Sequence, residues 1–154
     1  LPALREKHPG LVLDLVLTDT VLDVLAERID IALRLGPKLD TGLLGTRLMT
    51  TRYRVVASPA WVERHGRPKA PADVAAMGVA TFPLPGFRDH WRFRDASGAV
   101  ETVAVHPGLL VSNGLGLLQA AVDGLGPTLL ADWLTADDRA AGRLDDLFPQ
   151  HAAT

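Results

Sequence analysis

The chain contains no cysteine. That excludes disulfides, thiolate metal sites and a cysteine nucleophile, while leaving the redox compartment open. It has no apolar run of the roughly 20 residues that a membrane-spanning helix requires, and its start lacks a signal-peptide layout. It also has no charge excess: 16 basic against 18 acidic residues give a net charge of −2, so the whole chain carries no electrostatic footprint for DNA or an anionic membrane. Its five histidines (8, 65, 90, 106 and 151) lack the spacing of a helical metal site. Its serines, at 58, 97 and 112, stand outside any G-x-S-x-G elbow. The Gly-Leu-Gly triplets at 114–116 and 124–126 do not continue as G-x-G-x-x-G, and no P-loop lysine follows. No metal, no cofactor and no enzymatic activity are expected.

What is present reads as a globular α/β protein. At 154 residues the chain can fill one good-sized core or two small lobes. Residues 5–10 resemble the end of a helix closed by proline and glycine, so the chain is expected to begin inside an element and to be part of a longer protein. Residues 11–17 are apolar except Asp14, which suits a buried parallel strand. Thr20 with Asp23 fits a capping-box-like start for a helix over 20–29, with Val21, Leu22, Leu25 and Ile29 on one face. Residues 30–35 are short, apolar and closed by Gly36-Pro37, which favours a strand. Strand, helix and strand in this order predict a right-handed parallel unit.

Residues 46–57 read as a longer strand ending at Ser58-Pro59, where a serine cap and a first-turn proline start a helix that Gly66 stops. Residues 67–71 read as a linker and 72–77 as a short helix. A strand follows at 79–83, then a hairpin of 91–94 and 100–105 around Ala96-Ser97-Gly98. Another strand covers 109–112. Asn113 caps a helix through Val122, 128–131 form a strand and 132–141 a helix. Residues 144–154 carry little pattern.

Arg34 stands where a parallel strand ends, the place where open α/β sheets bind ligands, and its guanidinium could hold a carboxylate through two hydrogen bonds. The alternative is a surface arginine lying on the sheet edge. Thr18 and Asp19 precede a helix start and either cap it or offer a place for a small anion. Asp19 disfavours such an anion unless it turns outward or pairs with Arg34. Ser112-Asn113-Gly114 opens a second helix with free backbone donors, either as a routine asparagine cap or as the other wall of a cleft. Phe82 ends a strand and could lie against a ligand. Arg47, Arg52, Arg54, Arg64, Arg67 and Lys69 read as a solvated basic face. The pairs Asp137-Asp138 and Asp145-Asp146 read as solvated too.

Asp30-Ile31-Ala32-Leu33-Arg34-Leu35-Gly36, Val56-Ala57-Ser58-Pro59-Ala60-Trp61, Trp91-Arg92-Phe93, Val111-Ser112-Asn113-Gly114 and the run from Gly124 to Leu134 follow one another in an order that resembles the effector-binding domain of LysR-type transcriptional regulators. The resemblance covers nearly the whole chain. It implies a two-lobed fold like that of the type 2 periplasmic binding proteins, with residues 1–57 as an incomplete first lobe and 58–154 as the second. It implies a non-enzymatic sensor of a small-molecule effector, a carboxylate if Arg34 anchors it. The expected cleft comprises Thr18, Asp19, Arg34, Gly36, Ser58, Phe82, Asn113 and Gly114. Further implications are a dimer or tetramer of identical chains, a cytoplasmic location without membrane contact, and DNA binding only through an N-terminal helix-turn-helix domain outside these residues. Pro127, where the family usually has an apolar residue, and Ala131, where proline is common, depart from its pattern. A solute-binding protein of a transport system, which shares the fold, is the alternative reading.

Overall fold

The run Tyr53–Ala57 buries Val55, Val56 and Ala57, so that both faces of its pleat are covered, and it forms β1, the strand around which the sheet is organised. A computed structural model describes residues 1–20, 22–35, 42 and 44–153. After α1 (Pro2–Lys7) and β1 come α2 (Pro59–His65), a 3-10 helix (Pro71–Ala76), β2 (Gly78–Thr81), β3 (His90–Arg94), β4 (Val100–Ala104) and β5 (His106–Leu110). Then follow α3 (Gly114–Val122), β6 (Thr128–Ala131), α4 (Asp132–Ala140), β7 (Asp145–Asp146) and β8 (Ala152–Ala153). The strands lie in the order β4-β3-β8-β1-β6-β2-β5, with β7 also on β1. β2 runs parallel to β5 and β6, and the other pairs are antiparallel.

Successive side chains of a strand point to opposite faces. Val55, Val79 and Leu129 therefore share one face with Trp61, Trp91, Phe93 and Phe148. Their neighbours Ala80 and Leu130 pack against Leu117 and Ala120 of α3 on the other, and Val56 against Ala121. Cover on both faces is why these strands read as continuous apolar runs rather than alternating ones. Trp91 is fully buried, and its indole N–H donates to the Phe87 carbonyl over 2.9 Å, an oxygen that also accepts from Thr81 Oγ1 at 2.8 Å.

The punctuation of this region follows the sequence closely. Ser58 Oγ accepts from Trp61 N, Pro59 occupies the first turn of α2, and Gly66 closes it at φ 82°. Asn113 caps α3, and the hairpin turns at 96–98. The expected short helix at 72–77 is a 3-10 helix. Residues 67–71 are a docked segment rather than a linker: Pro68 and Pro71 are buried, and Arg67 donates to Asp145. The patternless tail supplies β7 and β8, both of which pair with β1.

The segment before β1 differs from its sequence expectation. Residues 11–17 and 31–35 form no strand, because no other described strand lies beside them to accept their backbone hydrogen bonds. Their apolar side chains stay in solvent, with Val12 at 91% and Ile31 at 82% exposure. The helix expected over 20–29 is one turn. Asp23, not Thr20, caps it by accepting from Leu25 N and Ala26 N. It ends where Arg28 turns left-handed at φ 54°, with Arg28 N bonded to Leu25 O and Ile29 N to Val24 O. This is the Schellman closure, made here with an arginine where glycine avoids a cost of about 1–2 kcal/mol. The longer strand expected over 46–57 is confined to β1.

Candidate functional site

Parallel β2, β5 and β6 send their carboxyl ends to one edge of the sheet, and an open α/β sheet presents ligands there. Phe82 follows β2 at this edge. Asn113 and Gly114 begin α3 after β5, and Asp132 begins α4 directly after β6. Both helices thus direct their N-terminal amides and positive dipole ends to the same edge. A β-carbon on Gly114 would lie 3.6 Å from Leu134 Cδ2 and 3.8 Å from Phe82 Cζ, so the rim of this edge is apolar.

Asp19 reaches the same point from the far end of the sequence. Its Oδ2 accepts the Gly114 amide at 2.8 Å, and Asn113 Oδ1 accepts the Gly116 amide at 3.0 Å. The Thr18-Asp19 and Asn113-Gly114 turns, read separately from the sequence, are therefore joined. Thr18 Oγ1 sits one step back, sharing a hydrogen bond with Thr20 Oγ1 at 2.7 Å and accepting from Thr20 N. Arg34 is exposed and donates to the Leu22 carbonyl within its own segment. Gly36 lies outside the described residues.

Ser58 is not brought to this group. β1 is antiparallel to β6, so its carboxyl end opens on the opposite edge, where Ser58 is 4% exposed, caps α2 and faces Gly124 beyond the far end of α3.

The sequence missed the ionic frame beside the site. Arg54 donates through Nε to Asp132 at 3.1 Å and through Nη1 to Asp146 at 2.9 Å, and Arg139 holds Asp132 at 2.5 Å. The basic residues expected on a solvated face are in good part tied down, since Arg64 also donates to the Gly124 carbonyl. The acidic pairs are likewise engaged: Asp145 and Asp146 hold Arg67 and Arg54, and Asp138 holds Arg143. The signal for Asp132 was available. It is the first residue after a buried strand, as Asn113 stands at the strand-to-helix turn before α3. Burial raises the Tyr53 hydroxyl above its ordinary 10.0, so the ring beside Arg54 is a neutral phenol.

A shallow depression of about 320 Å³ between Arg52, Arg54, Arg94 and His151 includes none of the eight residues expected to line the cleft. Among the described residues no three acidic or histidine side chains gather as a metal cage, and no helix is long and apolar enough to cross a membrane. The edge at Gly114 can hold a small molecule by apolar contact and a few hydrogen bonds. It has the parts of a binding site.

Comparison with known proteins agrees with that description. The family model for the LysR substrate binding domain matches residues 1–153. The HTH-type transcriptional regulator CrgA of Neisseria meningitidis is 31% identical over 149 residues, taking in 97% of this chain and 49% of that protein. The HTH-type transcriptional regulator DmlR of Escherichia coli is 29% identical over 154 residues, with 97% and 48% covered. The solved structure of CrgA, a LysR-type transcriptional regulator from Neisseria meningitidis, matches with a TM-score of 0.82 at 30% identity, over 99% of this chain and 54% of that one. The chain spans about half the length of the curated relatives it matches.

Proposed function

The chain belongs to the LysR substrate-binding domain family, and on that premise we propose that it is the effector-sensing part of a transcriptional regulator. The observation that carries the proposal is the family match over residues 1–153, with regulators among its relatives. These relatives favour the regulator over the solute-binding alternative, and the family is one of transcription regulators rather than of enzymes.

In this reading residues 1–57 and 58–154 belong to two lobes, with β1 as the crossover. A small metabolite enters at the carboxyl edge of β2, β5 and β6, against Phe82, Asn113 and Gly114, with Thr18, Asp19 and Arg34 facing it from the first lobe. Gly36 and Ser58 have no such support: one lies outside the described residues and the other on the opposite edge. Arg34 is the group suited to a carboxylate on the effector. The ligand changes transcription only by binding one lobe or subunit arrangement more tightly than another. DNA contact belongs to a separate helix-turn-helix domain, the working form is a homo-oligomer, and the site of action is the cytoplasm.

The test is a thermal-shift screen of the complete regulator against small metabolites, followed by promoter occupancy with and without each binder. A binder that changes occupancy is expected. Binders that leave occupancy and transcription unchanged would sink the sensor reading.

A further inference from the structure

Arg52, Arg54 and Arg94 share one depression of about 320 Å³, although they come from two strands separated by a third. β8 pairs with β1 through Ala153 and Tyr53, and with β3 through Ala153 and Phe93 and through Ala152 and Arg94. Two strand spacings, about 10 Å, therefore separate the backbones of Tyr53 and Phe93. Tyr53 and Phe93 turn to the packed face, so the residues beside them, Arg54 and Arg94, turn to the other.

The three cations differ in what already engages them. Arg54 is held by Asp132 and Asp146. Among the described residues Arg52 and Arg94 have no ion pair, whereas arginines 54, 67, 139 and 143 do. Arg94 reaches the Gly98 carbonyl of its own hairpin over 3.3 Å. Asp95 is the acid of the lining, and its Oδ1 is engaged in the hairpin turn. It accepts from Ser97 Oγ at 2.7 Å, Ser97 N at 2.8 Å and Ala99 N at 3.0 Å.

His151, on the same lining, adds an independent signal. Its Nδ1 is buried and has no hydrogen-bond partner. A proton there would be a buried N–H without an acceptor, so in the neutral ring the proton sits on Nε2. Phe93 and Phe148 meet the ring edge-on, at centroid distances of 6.4 and 6.3 Å, and fix its direction.

We propose that this depression binds a small oxyanion, a carboxylate or phosphate, held by Arg52 and Arg94 with a further hydrogen bond from His151 Nε2. Planar guanidinium groups give such an anion two-point contacts. The bound anion ties β1 to β3 across β8, a strand of two residues. The site is separate from the proposed effector cleft and does not depend on the sensor reading.

The test uses the complete regulator and two probes, inorganic phosphate and malonate, with sodium chloride at equal ionic strength as the control. Phenylglyoxal, which modifies arginine, is added with and without each probe, and mass spectrometry reads the modified positions. One or both probes should slow modification of Arg52 and Arg94 at least about threefold relative to chloride, while exposed Arg88 reacts as before. Protection by phosphate alone assigns a phosphate, and by malonate alone a carboxylate. Calorimetric titration with the protecting probe then compares variants. Arg52→Ala combined with Arg94→Ala should weaken binding about tenfold or more, and His151→Phe, which keeps a ring against Phe93 and Phe148, about fivefold. Equal modification rates with and without the probes overturn the proposal. So do Arg52 and Arg94 that never react, because the protein itself then fills the site, and so does binding unchanged in either variant. The protection measurement is made on the wild type, so it stands even where a variant fails to fold.

Discussion

A β-carbon at Gly126 would lie 2.8 Å from the carbonyl oxygen of Gly78. The backbone of Gly126, at φ 143°, passes beneath the start of β2 so that the next residue, Pro127, can accept the Ala80 amide at 3.0 Å and bring β6 alongside. No side chain fits there. The second Gly-Leu-Gly triplet thus serves a strand crossing, not a phosphate.

Gly126→Ala should therefore lower stability by about 2–3 kcal/mol, from backbone strain and the contact with Gly78. Gly45→Ala, at a position with open space around it, should be nearly neutral. Urea denaturation of both variants decides the matter, and equal midpoints would contradict the crowding at Gly126.

Thr81 and Trp91 share one acceptor, the Phe87 carbonyl. Trp91→Ala should cost roughly 3–5 kcal/mol, as for other buried large aromatics. Trp91→Phe should cost less, because Thr81 still satisfies the carbonyl. Combining Trp91→Phe with Thr81→Val leaves that oxygen without either donor and should cost roughly 0.5–2 kcal/mol more than the sum of the single changes. A double-mutant cycle by chemical denaturation measures this, and strict additivity would remove the shared acceptor from the account.

How much of this was legible in the sequence depended on whether the deciding interaction was local. Ser58-Pro59, Asn113 and the 96–98 turn bond to residues a few positions away, so their residue types reveal them. Residues 11–17 and 31–35 have the same apolar grammar as β6, but a strand needs a partner, and composition cannot say whether one lies alongside. Asp23 took the cap that Thr20 seemed to own because its carboxylate reaches two amides. At the site, Phe82 and Asn113 were legible from strand ends, whereas the Asp19 to Gly114 bond and the Arg54 frame join distant parts of the chain. The short β7 and β8 have no periodicity to read.

The amides of Ala70 and Lys69 donate to Asp73 Oδ2 and hold its carboxyl below the ordinary 3.8. A carboxyl lowered by folding contributes stability that is present above its unfolded value and is lost as pH falls through the folded one. The stability difference between wild type and Asp73→Asn should be constant near neutral pH and shrink as the pH drops below about 4. Denaturation of both proteins across that range measures it, and a difference that ignores pH would mean the carboxylate charge contributes nothing here.

Arg34→Ala in the complete regulator should weaken binding of a carboxylate effector by roughly 1.5–3 kcal/mol, the range for a charged hydrogen bond. Arg34→Lys should recover only part, since an ammonium lacks the planar two-point contact. Calorimetric titration with a compound from the metabolite screen supplies the measurement. Unchanged affinity with folding preserved would return Arg34 to the role it has towards Leu22.

Every strand bonded to β1, namely β6, β7 and β8, is encoded well after it. During synthesis its backbone groups must therefore wait, unpaired, until those late residues have left the ribosome. Val55 and Val56 then stand as an unsatisfied, strongly apolar ribbon on a growing polypeptide, the kind of stretch that invites chaperones and misassociation between nascent chains. The arrangement makes the yield of folded protein sensitive to the pace of translation between β1 and β8.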